Sequence, residues 1–324
     1  MNIVQTCNVL YDAEQFNKYV DMFRDKGISS VRINTCKCSF EEYEELERFI
    51  TLCVKDNPDI EFIIDVPYPH NKARIKDVKL SDDIVRKQEV YVITDDPDIF
   101  TEIDTNVILL EKYKKRDSLT NGNVIYFGDG DGAFEITDIK AEKISCVAVN
   151  DFEIISTKAI SVGYVDDLKR IKDFIRQVYQ NNPKVMFALS FLENGRQIDE
   201  LFTAIGRDIK ILAKIETMSA VQNVRDFVSK CEGIMLARGD LIYQIKNNEL
   251  FEITKTIGLL ARENKKRFLV ATDNLLSLKD NYLPSRADLI DLSYSNSVGC
   301  TDIVLSFYNL ENLQRTVEII KSIG

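Results

Sequence analysis

The sequence predicts an α/β chain built as a (β/α)8 TIM barrel, interrupted after its third strand by an inserted all-β domain. Outside one central stretch, apolar strand candidates alternate with helical segments and number eight, which is the arithmetic of that barrel. From about residue 71 to 156 helical periodicity lapses into short alternating strands separated by turn residues. Ionisable residues also gather at the carboxyl ends of the strands, where α/β barrels build their sites. A doubly wound open sheet is the competing architecture, but no Gly-rich dinucleotide loop follows the first strand. A count of eight does not by itself close the sheet.

In chain order, a strand is expected at residues 3–6 and a helix over 13–25. A second strand at 29–34 leads to a helix from about 40 to 54, with Ser39 as cap and Glu42 three residues on as a capping box. Residues 60–65 are the third strand. The insert contributes strands at 90–94, 124–127, 133–137, 144–149 and 153–156, with Thr120-Asn-Gly122 and Gly128-Asp-Gly-Asp-Gly132 as turns. A helix near 166–180 then precedes a strand at 185–189. Further strands follow at 209–213, 233–237, 268–272 and 302–306, and a last helix at about 310–323. The expected division is therefore barrel over 1–70 and 158–324, with the insert over 71–157.

A chain of 324 residues, 45% hydrophobic, can bury a large core. Its formal net charge of −10 argues against a nucleic-acid backbone as partner. The start Met1-Asn-Ile-Val-Gln-Thr reads as a strand, not as a secretory leader. No apolar run approaches the ~20 residues of a membrane span, so no membrane partner is expected. Seven scattered cysteines, an odd number, read as reduced thiols of a cytoplasmic protein.

The strand ends carry the chemistry. Ile209-Lys-Ile-Leu-Ala-Lys-Ile-Glu216 and Gly233-Ile-Met-Leu-Ala-Arg-Gly-Asp-Leu241 are buried-type apolar runs that end in charge. Lys214 and Glu216 stand two apart and point to the same side if the chain is still extended there. Arg32 and Asn34 end the second strand, Asp65 the third, and Thr272 the seventh. Singly, each reads as a solvated strand end or a salt bridge. Jointly they favour a site, because barrel interiors otherwise select Val, Ile and Leu. Glu216 and Asp240 are hard oxygen ligands suited to Mg²⁺ or Mn²⁺. Gly239 lets backbone amides approach a carboxylate. Lys214 sets a fixed positive charge over an oxygen that becomes negative, and Arg32 suits bidentate phosphate contact. Thr272 suits a proton relay. The set describes a metal-bound keto-acid or enol-phosphate site.

These residues resemble the pyruvate kinase family. Ile209 to Val221 is similar to its active-site signature, and Gly233 to Leu241 to its metal and substrate loop. Val270-Ala-Thr272, Pro284-Ser-Arg-Ala-Asp288 and Val31-Arg-Ile-Asn34 resemble further barrel segments. Tyr126-Phe-Gly-Asp-Gly130 and Ser156-Thr-Lys-Ala-Ile-Ser161 resemble parts of its inserted lid. The resemblance implies phosphoryl transfer between phosphoenolpyruvate and ADP, giving pyruvate and ATP, under a β-barrel lid that gates the site. It implies Lys214, Thr272 and Arg32 as catalytic, Glu216 and Asp240 as ligands of Mg²⁺ or Mn²⁺, and Arg238, Gly239, Asp240 and Arg74 as substrate-binding. Asn34 and Asp65 would lie at the monovalent-cation site, where the ammonium of Lys72 would stand in for K⁺ and make that ion unnecessary. The chain stops after the eighth strand and one helix, which implies no C-terminal regulatory domain and a smaller oligomer such as a homodimer.

The departures fall on one half of the site. Cys36 and Val66 stand where the family has a cation-site serine and threonine. Asp65-Val-Pro-Tyr-Pro-His-Asn-Lys-Ala-Arg74 is two residues longer than its counterpart. Ser190-Phe-Leu-Glu193 puts an acid where the family has an arginine, and Ser306-Phe-Tyr lacks the expected Gly-Glu-Thr. The metal-and-enolate half is intact and the nucleotide half eroded. The alternatives are therefore a divergent metal-dependent enolate enzyme (lyase, aldolase or other transferase) on pyruvate or phosphoenolpyruvate without ADP, and a non-catalytic protein of this type. Other signals carry less. Cys36-Lys-Cys38 lacks a second pair, Gly128-Asp-Gly-Asp-Gly132 lacks the glutamate of a calcium loop, and Glu111-Lys-Tyr-Lys-Lys-Arg116 reads as a solvated surface. The single histidine, His70, excludes a His-based triad.

Overall fold

The apolar runs of the barrel region are buried along almost their whole length, as strands covered on both faces must be. Every residue of Met186–Leu189, Gly233–Ala237 and Asp302–Leu305 is buried. The computed structural model describes residues 1–35, 38, 42–67, 73–111, 114–115, 119–128, 131–154, 159–164, 168–246 and 248–324. They form two compact units, Met1–Tyr68 with Leu168–Gly324, and Pro69–Asp167.

The first unit is a closed barrel of eight parallel strands. They are β1 (Asn2–Asn8), β2 (Ser30–Asn34), β3 (Glu61–Val66), β4 (Met186–Leu189), β5 (Lys210–Ile215), β6 (Gly233–Ala237), β7 (Arg267–Ala271) and β8 (Asp302–Leu305). Each strand pairs with its sequence neighbour, and β1 closes the sheet against β8 with Asn2 opposite Asp302. The open-sheet alternative is thereby excluded. The helices are α1 (Ala13–Asp25), α2 (Tyr43–Asp56), α3 (Leu168–Asn181), α4 (Gly195–Ile205), α5 (Met218–Phe227), α6 (Glu249–Glu263), α7 (Arg286–Ser297) and α8 (Leu313–Ile323).

The period of two along each strand sorts the side chains into two cores. Val4, Ile63, Met186, Ala188, Leu212, Met235, Leu269, Ala271 and Val304 fill the barrel interior. Residues between them, such as Ile64, Phe187, Ile211, Leu236 and Val270, pack outward with the helices. The helices present matching stripes. In α1 these are Phe16, Val20 and Phe23, and Asp12 caps the helix by accepting from the Gln15 amide at 3.0 Å. Helix α2 begins at Tyr43 with Glu42 at its cap position; Ser39, expected as the cap, lies outside the described residues. The phase of α2 follows its buried stripe Tyr43, Leu46, Phe49, Ile50 and Cys53.

The same period sends polar side chains to the two ends of the barrel. At the amino end Arg267 reaches Glu61 at 2.8 Å and Asp302 at 2.7 Å, and Ser30 donates to Glu61. These residues come from four different strands, β2, β3, β7 and β8, and plug the floor. Gly233 belongs to this layer. A Cβ there would lie 2.9 Å from the Arg267 carbonyl oxygen and 2.9 Å from Leu212 Cδ2.

The second unit contains a closed barrel of seven strands, ordered Gly132–Ile139, Lys143–Ala148, Val90–Thr94, Val107–Leu110, Ala73–Lys79, Ala159–Ile160 and Val124–Phe127. Gly132 pairs with Phe127 in the antiparallel ladder between Gly132–Ile139 and Val124–Phe127. Three strands were not expected. Val107–Leu110 is buried on both faces and shows no alternation, and Ala73–Lys79 hides its alternation behind a bulge and charged residues. Residues 159 and 160 pair with Arg74 and Ala73, so this strand belongs to the insert although the sequence places it in the returning barrel segment. A short helix, Pro97–Glu102, also stands where only strands were expected; Asp96 caps it and Pro97 opens it. Among the described residues, no helix is long and apolar enough to cross a membrane.

Gly233→Ala is expected to lower unfolding free energy by about 1–3 kcal/mol, because backbone rather than a flexible side chain blocks the methyl group. Denaturant titration of the two proteins measures it.

Candidate active site

The barrel mouth is built by the inward positions that follow the apolar interior. Thr6 follows Val4 on β1, Arg32 follows Ser30 on β2, and Asp65 follows Ile63 on β3. Ser190 comes directly after β4, two residues beyond Ala188. Lys214 follows Leu212 within β5, and Glu216 comes just past its end. Strand pairing sets Thr6 beside Arg32, and Asn34 beside Asp65.

Asp65 is fully buried and sits at the centre. Its Oδ2 receives Arg32 Nε at 2.7 Å and Nη2 at 2.7 Å. Its Oδ1 receives the Ser190 hydroxyl at 3.1 Å and Lys214 Nζ at 3.1 Å. Its carbonyl accepts from both the amide (3.0 Å) and the hydroxyl (2.6 Å) of Thr35. Burial pushes the Asp65 carboxyl up, but the charges of Lys214 and then Arg32 outweigh it and hold the group below its ordinary range. Arg32 Nη1 continues the network to Thr6 Oγ1 at 2.9 Å.

Lys214 is held from three directions. Besides Asp65, its Nζ donates to Ser190 Oγ at 2.8 Å and meets Glu216 Oε1 at 2.9 Å. The other Glu216 oxygen accepts the Phe191 amide at 2.6 Å, with Phe191 in the left-handed region at φ +53°. Burial raises the Glu216 carboxyl above its ordinary value; Lys214 pulls it back, and Asp240 and Asp65 push it further up. Asp240 therefore lies near enough for its charge to act on Glu216. Among the described residues of this cluster, Asp65, Glu216 and Asp240 outnumber Arg32 and Lys214, and a divalent cation would reverse that imbalance. Glu216 and Asp240 offer the hard oxygen donors that Mg²⁺ and Mn²⁺ take. Among the described residues no group of three His, Cys, Asp or Glu side chains is arranged to hold a metal alone. Mg²⁺ is commonly held by one or two carboxylates, with water and substrate oxygens completing the shell, so this pair fits it.

Thr272 lies one residue past β7, not within a strand, at φ +75°. A β-branched residue in that region is strained. Its hydroxyl accepts the Gly239 amide at 3.2 Å, and its carbonyl accepts Arg238 Nη2 at 2.7 Å. A Cβ on Gly239 would lie 3.0 Å from Thr272 Cγ2, so glycine permits this approach. Arg238 also donates to the Ala271 carbonyl (3.1 Å) and to Asn274 Oδ1 (3.0 Å), and pairs with both oxygens of Asp291 on α7. Its guanidinium, expected to bind substrate, is thus taken up in fastening the turn that carries Thr272.

Arg32, Asp65, Lys214 and Glu216 form one network, and Gly239 with Thr272 forms a second contact. Arg74 is a strand residue of the other unit, paired with Ala159. Lys72, Cys36 and His70 lie outside the described residues, as do parts of the 111–116 and 128–132 runs.

Residues 3–307 match the family described as pyruvate kinase, barrel domain. The chain belongs to the pyruvate kinase family. It is similar to the pyruvate kinase of Agaricus bisporus, 27% identical over 293 residues that make up 86% of this chain and 54% of that one. The pyruvate kinase of Hypocrea jecorina is 26% identical over 302 residues (89% and 55%), and that of Thermoplasma acidophilum 27% over 279 (83% and 47%). The chain thus spans about half the length of the curated relatives it matches.

In this pyruvate kinase family member, two mouth residues escaped the sequence reading: Ser190 and Thr6. Each continues the inward period of its strand by one step, Met186, Ala188, Ser190 and Val4, Thr6, and that continuation was the available signal.

Asp65→Asn should lower unfolding free energy by about 3 kcal/mol at neutral pH, since it leaves buried cations short of a partner. A carboxyl whose folded pKa lies below its unfolded value contributes stability above the unfolded value and loses it as pH falls through the folded one. The gap between wild type and variant should therefore be full above about pH 4 and shrink on acidification, measured by urea titration across pH.

Proposed function

We propose that this chain is a metal-dependent phosphotransferase that moves the phosphoryl group of phosphoenolpyruvate to ADP, giving pyruvate and ATP. The observation that carries this reading is the buried Lys214 ammonium, held by Asp65, Ser190 and Glu216 at the carboxyl ends of the strands. Transfer breaks the bond between phosphorus and the enol oxygen and leaves negative charge on that oxygen. A preorganised cation in a water-poor mouth stabilises such charge strongly. Arg32 adds positive charge for the phosphate. The amides of Gly239 and Asp240 are assigned to the substrate carboxylate. Thr272 lies on the proton's route to the enolate carbon, with its hydroxyl oriented by the Gly239 amide. Arg238 acts through this turn.

Glu216 and Asp240 would hold Mg²⁺ or Mn²⁺, which when bound supplies Lewis-acid charge to substrate oxygens. Both oxygens of Asp65 already meet protein cations, which supports turnover without K⁺. A second reading, enolate chemistry without ADP, is favoured by Glu193. This half-buried acid stands where the resemblance expects an arginine.

Protein mixed with phosphoenolpyruvate, ADP and Mg²⁺ should form ATP and pyruvate by ³¹P and ¹H NMR, with or without K⁺. Lys214→Met should lower the rate about 1000-fold or more. No ATP, but Mg²⁺-dependent deuterium uptake into pyruvate, would replace the first reading by the second. Mn²⁺ in hundredfold excess over its Kd should stabilise the wild type by about 2.7 kcal/mol. Glu216→Gln should lose that gain. In chelator it should melt no lower than wild type, because a carboxyl with a raised folded pKa destabilises the fold once ionised. Differential scanning calorimetry checks both statements.

A further inference from the structure

We propose that the turn after β4, Ser190 with Phe191, is a positioning element that fixes the Lys214 ammonium and the Glu216 carboxylate relative to each other. Its catalytic consequence rests on the phosphotransferase reading; its geometry does not. An ammonium has three N–H donors, and among the described residues Lys214 meets Asp65 Oδ1, Ser190 Oγ and Glu216 Oε1. Two carboxylates alone leave such a group free to move along the line between them. The hydroxyl supplies a third point without adding charge, so it fixes direction while leaving the ammonium's field undiminished. Ser190 also donates to Asp65 at 3.1 Å, which fixes its own rotor. Its side chain is buried at 2% exposure, so it acts through Lys214.

Phe191 completes the device. Its amide donates to Glu216 Oε2 at 2.6 Å, and its φ of +53° is a conformation an aromatic residue adopts only when the surroundings impose it. The Ser190 amide is pinned in turn to the Val66 carbonyl of β3 at 3.1 Å. The turn thus touches Lys214 through a side chain and Glu216 through the backbone, and sets the distance between phosphoryl-facing cation and metal-facing carboxylate.

The test compares wild type with Ser190→Ala and Ser190→Thr. In ¹⁵N-lysine spectra at low temperature the wild type should show a slowly exchanging ammonium signal, assigned to Lys214 by its absence in Lys214→Met. Ser190→Ala should lose that signal and Ser190→Thr should retain it. In turnover, Ser190→Ala should lower kcat about 10- to 100-fold with KM for phosphoenolpyruvate little changed, and Ser190→Thr should recover most of kcat. An Ala variant with the signal and kcat of wild type overturns the proposal. So does a fall in kcat matched by a fall in thermal stability while the ammonium signal persists, because that would mark Ser190 as packing. A wild type that turns over no substrate sinks the phosphotransferase reading, while the ammonium signal still decides the positioning claim.

Discussion

Asp65 is the constraint on which the mouth depends. A carboxylate with no exposed surface survives in a barrel only if its charge is matched on the spot. Here one oxygen takes an arginine and the other a lysine and a hydroxyl, while the carbonyl is covered by Thr35. Strands β2, β3 and β5, with the turn that follows β4 between them, are thereby fixed in register at the level of single atoms. Lys214 can be buried because Asp65 is there, and Lys214 in turn offsets part of what burial and Asp240 do to the Glu216 carboxyl. The order of dependence runs from β3 outward to β5.

Much of this was legible in the sequence. Eight apolar runs, their inward period and the charges at their ends foretell the barrel and most of the mouth, since those features follow from burial on two faces. Thr272 illustrates where legibility stops. Threonine favours strands, so the local pattern extends β7 through it. The structure instead bends it to positive φ, held by Arg238 and Gly239 from the neighbouring strand end. The pairing of Arg238 with Asp291 was not legible either, because the two lie 53 positions apart and nothing local announces the pair. Arg267 falls one residue before the strand expected at 268–272. Its acceptors come from β3 and β8, and only closure of the barrel brings them together.

Phe191 and Thr272 are among the non-glycine residues that hold left-handed backbone. Each such residue costs on the order of 1–3 kcal/mol and is tolerated where neighbours over-determine it. Both follow the end of a strand, and both present a group to a mouth residue: an amide to Glu216, a hydroxyl to the Gly239 amide. Strand ends on a rigid barrel thus supply enough support to hold conformations that a free loop would relax.

The floor of Arg267, Glu61, Asp302 and Ser30 has a further bearing on the chain. Nine apolar side chains separate it from the mouth and act as a slab of low polarisability with an ionic layer on either side. Each layer finds its counter-charges at hydrogen-bond distance on its own side of the slab. The barrel in this sense carries two separately assembled ionic layers on one scaffold. Sequence drift in the lower layer is filtered by folding alone, and drift in the upper one by chemistry as well.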